Sequence, residues 1–365
     1  MPYQNIHHSK VRLGVIGTGW WATDYHIPGI LEHPEADLVA ICDMDPERLQ
    51  KAASAYQIKK TYTDFHEMVG AELLDGVVIV TPHATHYMIA RDCLDAGLHV
   101  LVEKPMTLYA WEARELLELA MRNQKEILLG YTYHYTEQAR RLKAVFHQGE
   151  LGPIEYVNCS FSSNMVNFLG GKVSPDNSPI RYKVQGPGDS YNRPELLGGG
   201  QGHLQMTHPI GYLLHITGLR ARRVQAMMSN LGFAVDMVNA ICVEFEGGAL
   251  GVIGGTGNAH HNYRLGLAIY CQNGCCVSDS MAGITTVRKA DGSEESISGQ
   301  PGQRKPYALT YNFIELLHDK NANESRKVEN LAPGEVGWRV VEVLDAAYRS
   351  VKENGRLIEI KELYP

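Results

Sequence analysis

The sequence has no excess of positive charge and no long apolar run. Lysine and arginine total 34 against 41 aspartates and glutamates, which leaves a net charge of −7. This balance argues against the basic surface that binds nucleic acid or anionic lipid. No apolar stretch approaches the roughly 20 residues that cross a bilayer, and the opening residues MPYQNIHHSKVR lack the apolar segment of a signal peptide. We therefore expect neither nucleic acid nor membrane as a partner.

Cysteine is also scarce, with an odd number of seven spread over 365 residues. This distribution predicts no disulfide framework and favours a reducing, cytoplasmic location. The 16 histidines do not form a metal-ligand pattern. His203 and His208 are five residues apart, which is the wrong spacing for a helical chelate, and no cysteine spacing matches a zinc signature. We expect no metal site.

The sequence has the composition of an ordinary globular protein, with 44% hydrophobic residues. The chain is long enough for about two domains. Short apolar stretches alternate with helical patterns at the start of the chain, at 11–16, 38–42, 75–80, 99–104 and 126–131. This alternation predicts an α/β domain whose parallel sheet is covered by helices on both faces. We place that domain at residues 1–131.

The remainder, residues 132–365, has a different pattern. Its strands are expected at 154–162, 222–230, 238–246, 249–256 and 264–272. They alternate polar and apolar residues, which predicts an α+β domain with a large, mostly antiparallel open sheet. An amphipathic helix over 334–353 is expected to pack back on the first domain. One uncovered sheet face would expose apolar surface, so we expect a homo-oligomer: a dimer, tetramer or hexamer.

A glycine-rich loop follows the first strand. Gly17-Thr18-Gly19-Trp20-Trp21-Ala22 has the spacing GxGxxA between a strand and a helix. Glycines there permit a tight turn and let the backbone approach a pyrophosphate at the helix N-terminus. Asp43 ends the second strand, where a carboxylate binds ribose hydroxyls and repels a 2′-phosphate. The pattern favours NAD over NADP, with one of the two tryptophans expected against the ligand and the other in the core.

The fourth strand ends in Glu103-Lys104-Pro105. Ligands of open α/β sheets bind outside the carboxyl ends of the strands, so Lys104 is placed to reach them. A lysine in such a crevice can exchange a proton with a substrate hydroxyl. Taken alone, the local sequence favours a surface lysine after a strand over a catalytic one.

These features together resemble the Gfo/Idh/MocA oxidoreductases, which include glucose–fructose oxidoreductase and inositol dehydrogenase. The resemblance rests on the glycine loop, Asp43, the segment Thr81–His86, Glu103-Lys104-Pro105, the run from Gly198 to His208 and the hairpin 269–279. It implies a Rossmann domain followed by a domain with a large open sheet. It also implies hydride transfer between a nicotinamide cofactor and a sugar or polyol.

The resemblance also assigns roles to individual residues. Lys104 matches the catalytic lysine, and His208 matches the histidine near the reacting carbon. Glu103 matches the neighbour that helps to position cofactor and lysine. The segment expected along the nucleotide is Thr81, Pro82, His83 and His86, in which His83 replaces the usual asparagine. The family often has an acidic residue four positions before the histidine, and here that position is Leu204.

A polar stripe is expected around His208. Residues 201, 205, 208, 212 and 215 are Gln, Gln, His, Tyr and His, a spacing that puts them on one helical face. Pro209 should kink this helix near His208. The stripe is either a substrate wall or a face turned to water or a subunit. The substrate-binding candidates are Tyr133, His134, Asn192, Gln201, Gln205 and His208.

The long polar stretch 164–200 is expected either to contribute residues such as Asn192 to a sugar site or to reach a neighbouring subunit. Three functions remain open. The first is an NAD-dependent dehydrogenase acting on a sugar or glycoside, with C3 of a glucoside as one candidate carbon. The second is an NAD-retaining glycosidase or lyase that oxidises C3 transiently. The third is a non-enzymatic NAD- or sugar-sensing module.

Overall fold

The computed structural model describes residues 10–171, 182–260, 263–298, 307–321 and 328–365. Its first sheet is parallel and has the strand order β3-β2-β1-β4-β5-β6. The six strands are β1 (Val11–Ile16), β2 (Ala36–Cys42), β3 (Thr61–Tyr62), β4 (Gly76–Ile79), β5 (His99–Val102) and β6 (Ile127–Leu129). Strands β4, β5 and β6 are buried along their whole length, as expected for a sheet covered on both faces.

Five helices connect these strands: α1 (Ile27–Glu32), α2 (Pro46–Tyr56), α3 (Phe65–Ala71), α4 (His86–Asp95) and α5 (Ala110–Arg122). Helix α2 begins as its sequence predicts, because the Asp45 side chain accepts from the N–H groups of Glu47 and Arg48 and Pro46 occupies the first turn. Helix α1 is preceded by a π-helical turn, Ala22–His26, which we call the first π-turn.

The second sheet has nine strands in the order β14-β13-β12-β11-β7-β10-β9-β8-β15. Only the β7–β10 pair is parallel. The strands are β7 (Ile154–Ser162), β8 (Ala221–Ser229), β9 (Val238–Phe245), β10 (Leu250–Thr256), β11 (Arg264–Cys271), β12 (Gly274–Asp279), β13 (Ile284–Lys289), β14 (Glu294–Ser298) and β15 (Ile358–Glu359). The predicted α/β fold class, with a Rossmann sheet and a mostly antiparallel second sheet, is confirmed.

The remaining helices are α6 (Glu137–His147), α7 (Val166–Leu169), α8 (Pro194–Leu197), α9 (Thr207–Thr217), α10 (Ala308–Asn321) and α11 (Gly334–Lys352). Helix α9 continues directly from a second π-helical turn, Gly202–Met206, the second π-turn. Helices α9 and α11 pack against the second sheet, and α11 also contacts α5 of the first domain.

Chain segments from beyond residue 300 return to the first sheet. Phe313 and Leu317 of α10 lie over Gly76, and the Leu129 N–H donates to the Ala332 carbonyl at 2.8 Å. The sequence had no signal for this return of α10. The boundary at 131/132 stays a prediction for how the chain divides.

Two strand ends differ from the prediction. Strand β5 ends at Val102 and β6 at Leu129, so Glu103-Lys104 lies beyond its strand and not within it. The short elements β3 and α3 and the outer strands β13 and β14 were not predicted. Within the described ranges, no helix combines the length and the apolar character needed to cross a membrane.

Candidate active site

The glycine loop closes tightly at its first glycine and leaves room at its second. Gly17 has φ +89°, and a Cβ there would lie 2.6 Å from the Val80 carbonyl oxygen. A Cβ on Gly19 would meet no atom within 4 Å. The loop precedes a helix N-terminus and thus has the donors and the space that a pyrophosphate requires. This open cradle fits a dinucleotide held by the backbone of Gly17–Gly19.

Asp43 fixes the loop from the end of β2. Its Oδ2 accepts from the Thr18 N–H at 2.8 Å and from Thr18 Oγ1 at 3.0 Å. Its Oδ1 accepts from the Asp45 N–H at 3.0 Å and lies 3.4 Å from Arg48 Nη1. The carboxylate therefore sits where the sequence predicted and ties the loop to the second strand. Arg48, which is 40% exposed at its side chain, places a cation beside this position.

Glu103 is a buried carboxylate at the end of β5 with three donors. The Trp21 indole N–H donates to it at 2.8 Å, His26 Nε2 lies 3.0 Å from the same oxygen, and the Lys104 N–H lies 3.2 Å from the other. Burial raises the pKa of Glu103, but the His26 hydrogen bond and charge, the Lys104 charge and the Trp21 hydrogen bond together lower it. Glu103 is therefore an anion beneath the crevice.

The space that Glu103 occupies depends on a missing side chain. A Cβ on Gly130 would lie 2.5 Å from the carboxyl atoms of Glu103. His26, the last residue of the first π-turn, is itself held by Thr310 of α10 through Nδ1 at 3.1 Å. The first π-turn, β6 and α10 therefore all position this one carboxylate.

Lys104 points the other way, toward the second domain. Its Nζ donates to the Leu204 carbonyl in the second π-turn at 3.0 Å. Lys104, Gln205 and His208 are all half-buried. The His208 ring makes an edge-to-face contact with Tyr133, with centroids 5.7 Å apart. A half-buried lysine bonded to the turn that carries Gln205 and leads into His208 can exchange a proton with a bound hydroxyl.

The predicted polar stripe is divided. Gln201 is fully buried and donates from Nε2 to the Phe161 carbonyl at 3.3 Å, and Tyr212 and His215 lie in the core. Only Gln205 and His208 are half-exposed. The expected single face assumed 3.6 residues per turn, and the wider second π-turn at Gly202–Met206 breaks that periodicity. Pro209 lies inside α9, and the kink expected near His208 stays a prediction.

His134 also lies in the interior. It stacks on His215 with ring centroids 4.1 Å apart, and its Nδ1 lies 3.1 Å from the Leu331 carbonyl. Burial, followed by the neighbouring His215, lowers its pKa well below the usual value. This placement gives its predicted substrate contact no support. Tyr133, by contrast, lies beside His208.

The segment after β4 runs along the same edge of the sheet. His86 bridges two loops, with Nε2 2.9 Å from the Thr81 carbonyl and Nδ1 2.8 Å from the Pro105 carbonyl. His83 Nδ1 lies 3.0 Å from the Leu197 carbonyl. Burial lowers the pKa of both histidines, most strongly that of His83. Both rings fix the loops that carry Thr81, Pro82 and Lys104.

Residues 182–193, which we call the strap, cover the glycine loop. Gln185 Nε2 donates to the Thr18 carbonyl, and the Lys183 N–H donates to Asp24 at 3.0 Å. The Trp20 indole N–H donates to the Tyr191 hydroxyl at 2.7 Å. Asn192 sits beside Gly171. Residues 172–181 of the predicted 164–200 loop lie outside the described part of the chain.

Neither tryptophan lies in the core, although one of them was expected there; the expected contact with the cofactor stays a prediction. Both are half-buried. Trp20 contacts the strap, with its ring centroid 5.6 Å from that of Tyr182. Trp21 stacks on Tyr25 at 5.0 Å and serves Glu103.

Sequence reasoning missed three positioning side chains. His26 and Tyr56 act across 77 and 33 residues of sequence. Asp236 accepts from the N–H groups of Gly200 at 2.7 Å and Gly202 at 2.9 Å, and from the Tyr348 hydroxyl at 2.7 Å, and so anchors the start of the second π-turn. These contacts join residues far apart in the sequence, and no local sequence motif predicts them. In the part of the chain that the structure describes, no group of three or more His, Cys, Asp or Glu side chains could hold a metal ion.

Two family descriptions match the chain. "Oxidoreductase family, NAD-binding Rossmann fold" matches residues 11–131, and "GFO/IDH/MocA C-terminal domain" matches residues 139–277. Together they span the first sheet, strands β7 to β11 of the second sheet, and the residues Lys104, Leu204 and His208.

Relatives of known name agree with these matches. Myo-inositol 2-dehydrogenase of Thermotoga maritima is 25% identical over 333 residues, which cover 89% of each protein. An uncharacterised oxidoreductase of Synechocystis is 26% identical over 226 residues, 62% of this chain. The match spans only about half of that relative, 55% of its length.

A solved structure of levoglucosan dehydrogenase in complex with NADH and L-sorbose is similar over 97% of this chain and 100% of its own. The TM-score is 0.77 and the identity 17%. At this identity the likeness establishes the shared fold.

Proposed function

This chain belongs to the Gfo/Idh/MocA family of NAD(P)-dependent oxidoreductases, and from that premise we propose that it transfers a hydride between NAD and a CH–OH carbon of a sugar or glycoside. The observation that carries the proposal is the position of Lys104 at the carboxyl end of β5. Its Nζ donates at 3.0 Å to the Leu204 carbonyl of the second π-turn, four residues before His208.

In this proposal Lys104 is the acid and base that exchanges a proton with the substrate hydroxyl. NAD, when bound, accepts the hydride that leaves the C–H bond. As that hydride leaves, Lys104 Nζ takes the hydroxyl proton, so the CH–OH group becomes a carbonyl; in reduction Nζ returns the proton. His208 and Gln205 hold the neighbouring hydroxyls, and buried Glu103 keeps Lys104 and Trp21 in place.

The finer substrate is a pyranoside oxidised at C3. The similar proteins named for inositol and levoglucosan support a ring with several secondary hydroxyls. Such a ring offers adjacent hydroxyls to Gln205 and His208, which are the half-exposed members of the polar stripe. NAD is preferred over NADP because Asp43 occupies the ribose position, although Arg48 beside it could neutralise a phosphate.

The test is the absorbance of purified protein mixed with a panel of glycosides, with and without added NAD. Growth of the reduced-nicotinamide band on addition of a glycoside is the expected result, with NAD either added or already held by the protein. No band and no product with any sugar would contradict the proposal and favour a sensing module.

The strap supports a second candidate. Because residues 182–193 reach across the glycine loop to Thr18, Trp20 and Asp24, bound NAD would leave slowly. A retained cofactor suits transient C3 oxidation, loss of the C2 proton together with the glycosidic substituent at C1, and addition of water to the resulting enone at C1 and C2. The hydride then returns to C3. Free sugar product without net reduced nicotinamide would favour this glycosidase or lyase.

Homo-oligomerisation is part of the same proposal. Tyr156, Leu250 and Tyr270 lie in direct register on three adjacent strands and are 38%, 54% and 46% exposed. Val252 and Val277 extend this outer sheet patch. A second copy would cover it. Sedimentation should show an oligomer, and Leu250→Glu should shift it toward monomer; a monomeric wild type would contradict the proposal.

The proposed location is the cytoplasm. All seven cysteines are free thiols, as expected in a reducing compartment. Fractionation of cells that express the native gene would check this directly, and recovery outside the cytoplasmic fraction would contradict it.

A further inference from the structure

The second π-turn provides a carbonyl where the family often has a carboxylate. The residue four positions before His208 is Leu204, whose side chain is buried in an apolar cluster with Leu169, Leu197, Val235 and Met237. Its side chain therefore contributes to the core. Its backbone oxygen, however, accepts from Lys104 Nζ at 3.0 Å.

The helix geometry explains why this oxygen is available. The Thr207 N–H closes the π-turn by donating to the Gly202 carbonyl. In an α-helix that N–H would serve residue 203. The next residue is His208, and the one after it is Pro209, which has no N–H. One N–H, from His208, is therefore left for the carbonyls of residues 203 and 204.

Buried backbone carbonyls need partners, so one of these two must find a donor outside the helix backbone. Lys104 Nζ supplies it at Leu204. The first π-turn has the same arrangement of a proline, a freed backbone carbonyl and a donor from outside the helix. There the Ile27 N–H donates to the Ala22 carbonyl, residue 28 is proline, and the Thr23 carbonyl accepts from the Tyr56 hydroxyl. In both turns the freed carbonyl lies five residues before a proline.

We propose that Pro209 is a positioning residue, which frees the Leu204 carbonyl to orient Lys104 Nζ. The inference rests on the proposed role of Lys104. A carbonyl accepts an N–H from either an ammonium or a neutral amine. It therefore holds Nζ in place in both protonation states. The other N–H groups of the ammonium, or the lone pair of the neutral amine, stay available to the substrate hydroxyl. A carboxylate would favour the ammonium far more strongly.

The first test needs no substrate. Protein labelled with carbonyl-13C leucine and 15N glutamine gives signals only from Leu-Gln peptide bonds, of which the sequence has two, Leu49-Gln50 and Leu204-Gln205. Loss of a hydrogen bond moves a carbonyl 13C resonance upfield. In Lys104→Ala the Leu204 signal should move upfield while the Leu49 signal stays. An unmoved Leu204 signal would overturn the proposal.

The second test restores the missing N–H. In Pro209→Ala the helix backbone regains a donor near the Leu204 carbonyl, so Lys104 Nζ should be released. Acetylation of Lys104 by acetic anhydride, followed by peptide mass spectrometry, should become several-fold faster relative to the other lysines. Pro28→Ala makes the same change at the first π-turn and should leave Lys104 acetylation unchanged. Equal rates in wild type and Pro209→Ala would refute the assignment.

The third readout is kinetic and separates this inference from the proposed function. Pro209→Ala should lower kcat about tenfold with KM nearly unchanged, because orientation of the proton-transfer group is lost and binding is not. If wild-type protein oxidises no sugar, the proposed function fails, while the labelling and acetylation results still decide the inference. Unchanged kcat in a folded Pro209→Ala variant would count against it.

Discussion

The two π-turns have the same backbone arrangement and carry different chemistry. The first, Ala22–His26, holds Glu103 through His26, and its freed Thr23 carbonyl is capped by a tyrosine hydroxyl. The second, Gly202–Met206, has its freed Leu204 carbonyl capped by Lys104. Consecutive residues of one strand end are therefore held from opposite sides, Glu103 by the first domain and Lys104 by the second.

The difference lies in the capping donor. Tyr56 is a neutral donor, and burial together with the charges of Asp24 and Tyr307 raises its pKa to about 12, so it keeps its proton at any physiological pH. Lys104 has an ammonium that can release a proton and that faces the crevice. The donor that caps the freed carbonyl is therefore unreactive at the first π-turn. In our proposal the donor at the second π-turn takes part in proton transfer.

Removing each capping donor should separate the two turns most clearly. Lys104→Ala should lower kcat by about 10³-fold, because proton transfer is lost. Tyr56→Phe should keep kcat within about twofold and cost about 1 kcal/mol in the free energy of unfolding. Steady-state kinetics and urea denaturation measure both. Similar activity in the two variants would contradict the distinction.

Displacing Glu103 should have the next largest effect. Gly130→Ala puts a methyl group into the volume of the carboxylate and should lower kcat/KM by about 10²-fold through misplacement of Trp21 and Lys104. Gly70→Ala is the matched control, because a Cβ there meets no atom within 4 Å and the helix gains a better former. If Gly130→Ala behaves like Gly70→Ala, Glu103 does not position the site.

The glycine cradle before the first π-turn gives a smaller effect, confined to binding. Gly19→Ala should raise the Kd for NAD about tenfold, or 1.4 kcal/mol, because the methyl group fills the space of the pyrophosphate. The melting temperature without NAD should not change, because that space holds no protein atom within 4 Å. Calorimetric titration would check the first expectation, and an unaltered Kd would place the cofactor elsewhere.

The last effect is on stability and not on activity, and it concerns a buried histidine outside both turns. Burial and the nearby Lys125 and Lys320 charges lower the pKa of His99 to about 3, and its Nδ1 accepts from the Glu126 N–H. The unfolded value is about 6.5, so the stability this neutral ring provides is complete above that pH and is lost as pH falls toward 3.

Asparagine can replace that acceptor without titrating. Between pH 8 and pH 5, the titration of His99 should lower the free energy of unfolding of the wild type by about 2 kcal/mol. The His99→Asn variant should not show this part of the loss. Urea denaturation at both pH values measures the difference. Equal losses of unfolding free energy in wild type and variant would show that His99 is not buried as a neutral ring. The activity at pH 8 should be the same in both proteins.

The first domain was predictable because its signals are local. A strand, a glycine loop and Asp43 follow one another at fixed spacing, and the structure places each at the carboxyl edge of the sheet. The second π-turn was not predictable in this way. The polar stripe was derived from regular helical spacing, so Gln201 was placed with Gln205 and His208, whereas it lies in the core.

The contacts that make the site specific are long-range. Lys104 and Leu204 are 100 residues apart, and His26 and Thr310 are 284 apart. Pro209 was visible as a helix breaker, but which carbonyl it frees depends on the π-turn, and which donor fills it depends on the packing of two domains. The family resemblance identified Lys104 and His208 without revealing how Lys104 is held.

The most direct test of the account is a crystal structure of the complex with NAD and an oxidisable glycoside. We predict that Lys104 Nζ lies within about 3 Å of both the Leu204 carbonyl oxygen and the reacting hydroxyl. Glu103 should remain on Trp21 and His26. A reacting hydroxyl held by another side chain, such as Tyr133, with Lys104 turned away, would contradict the account.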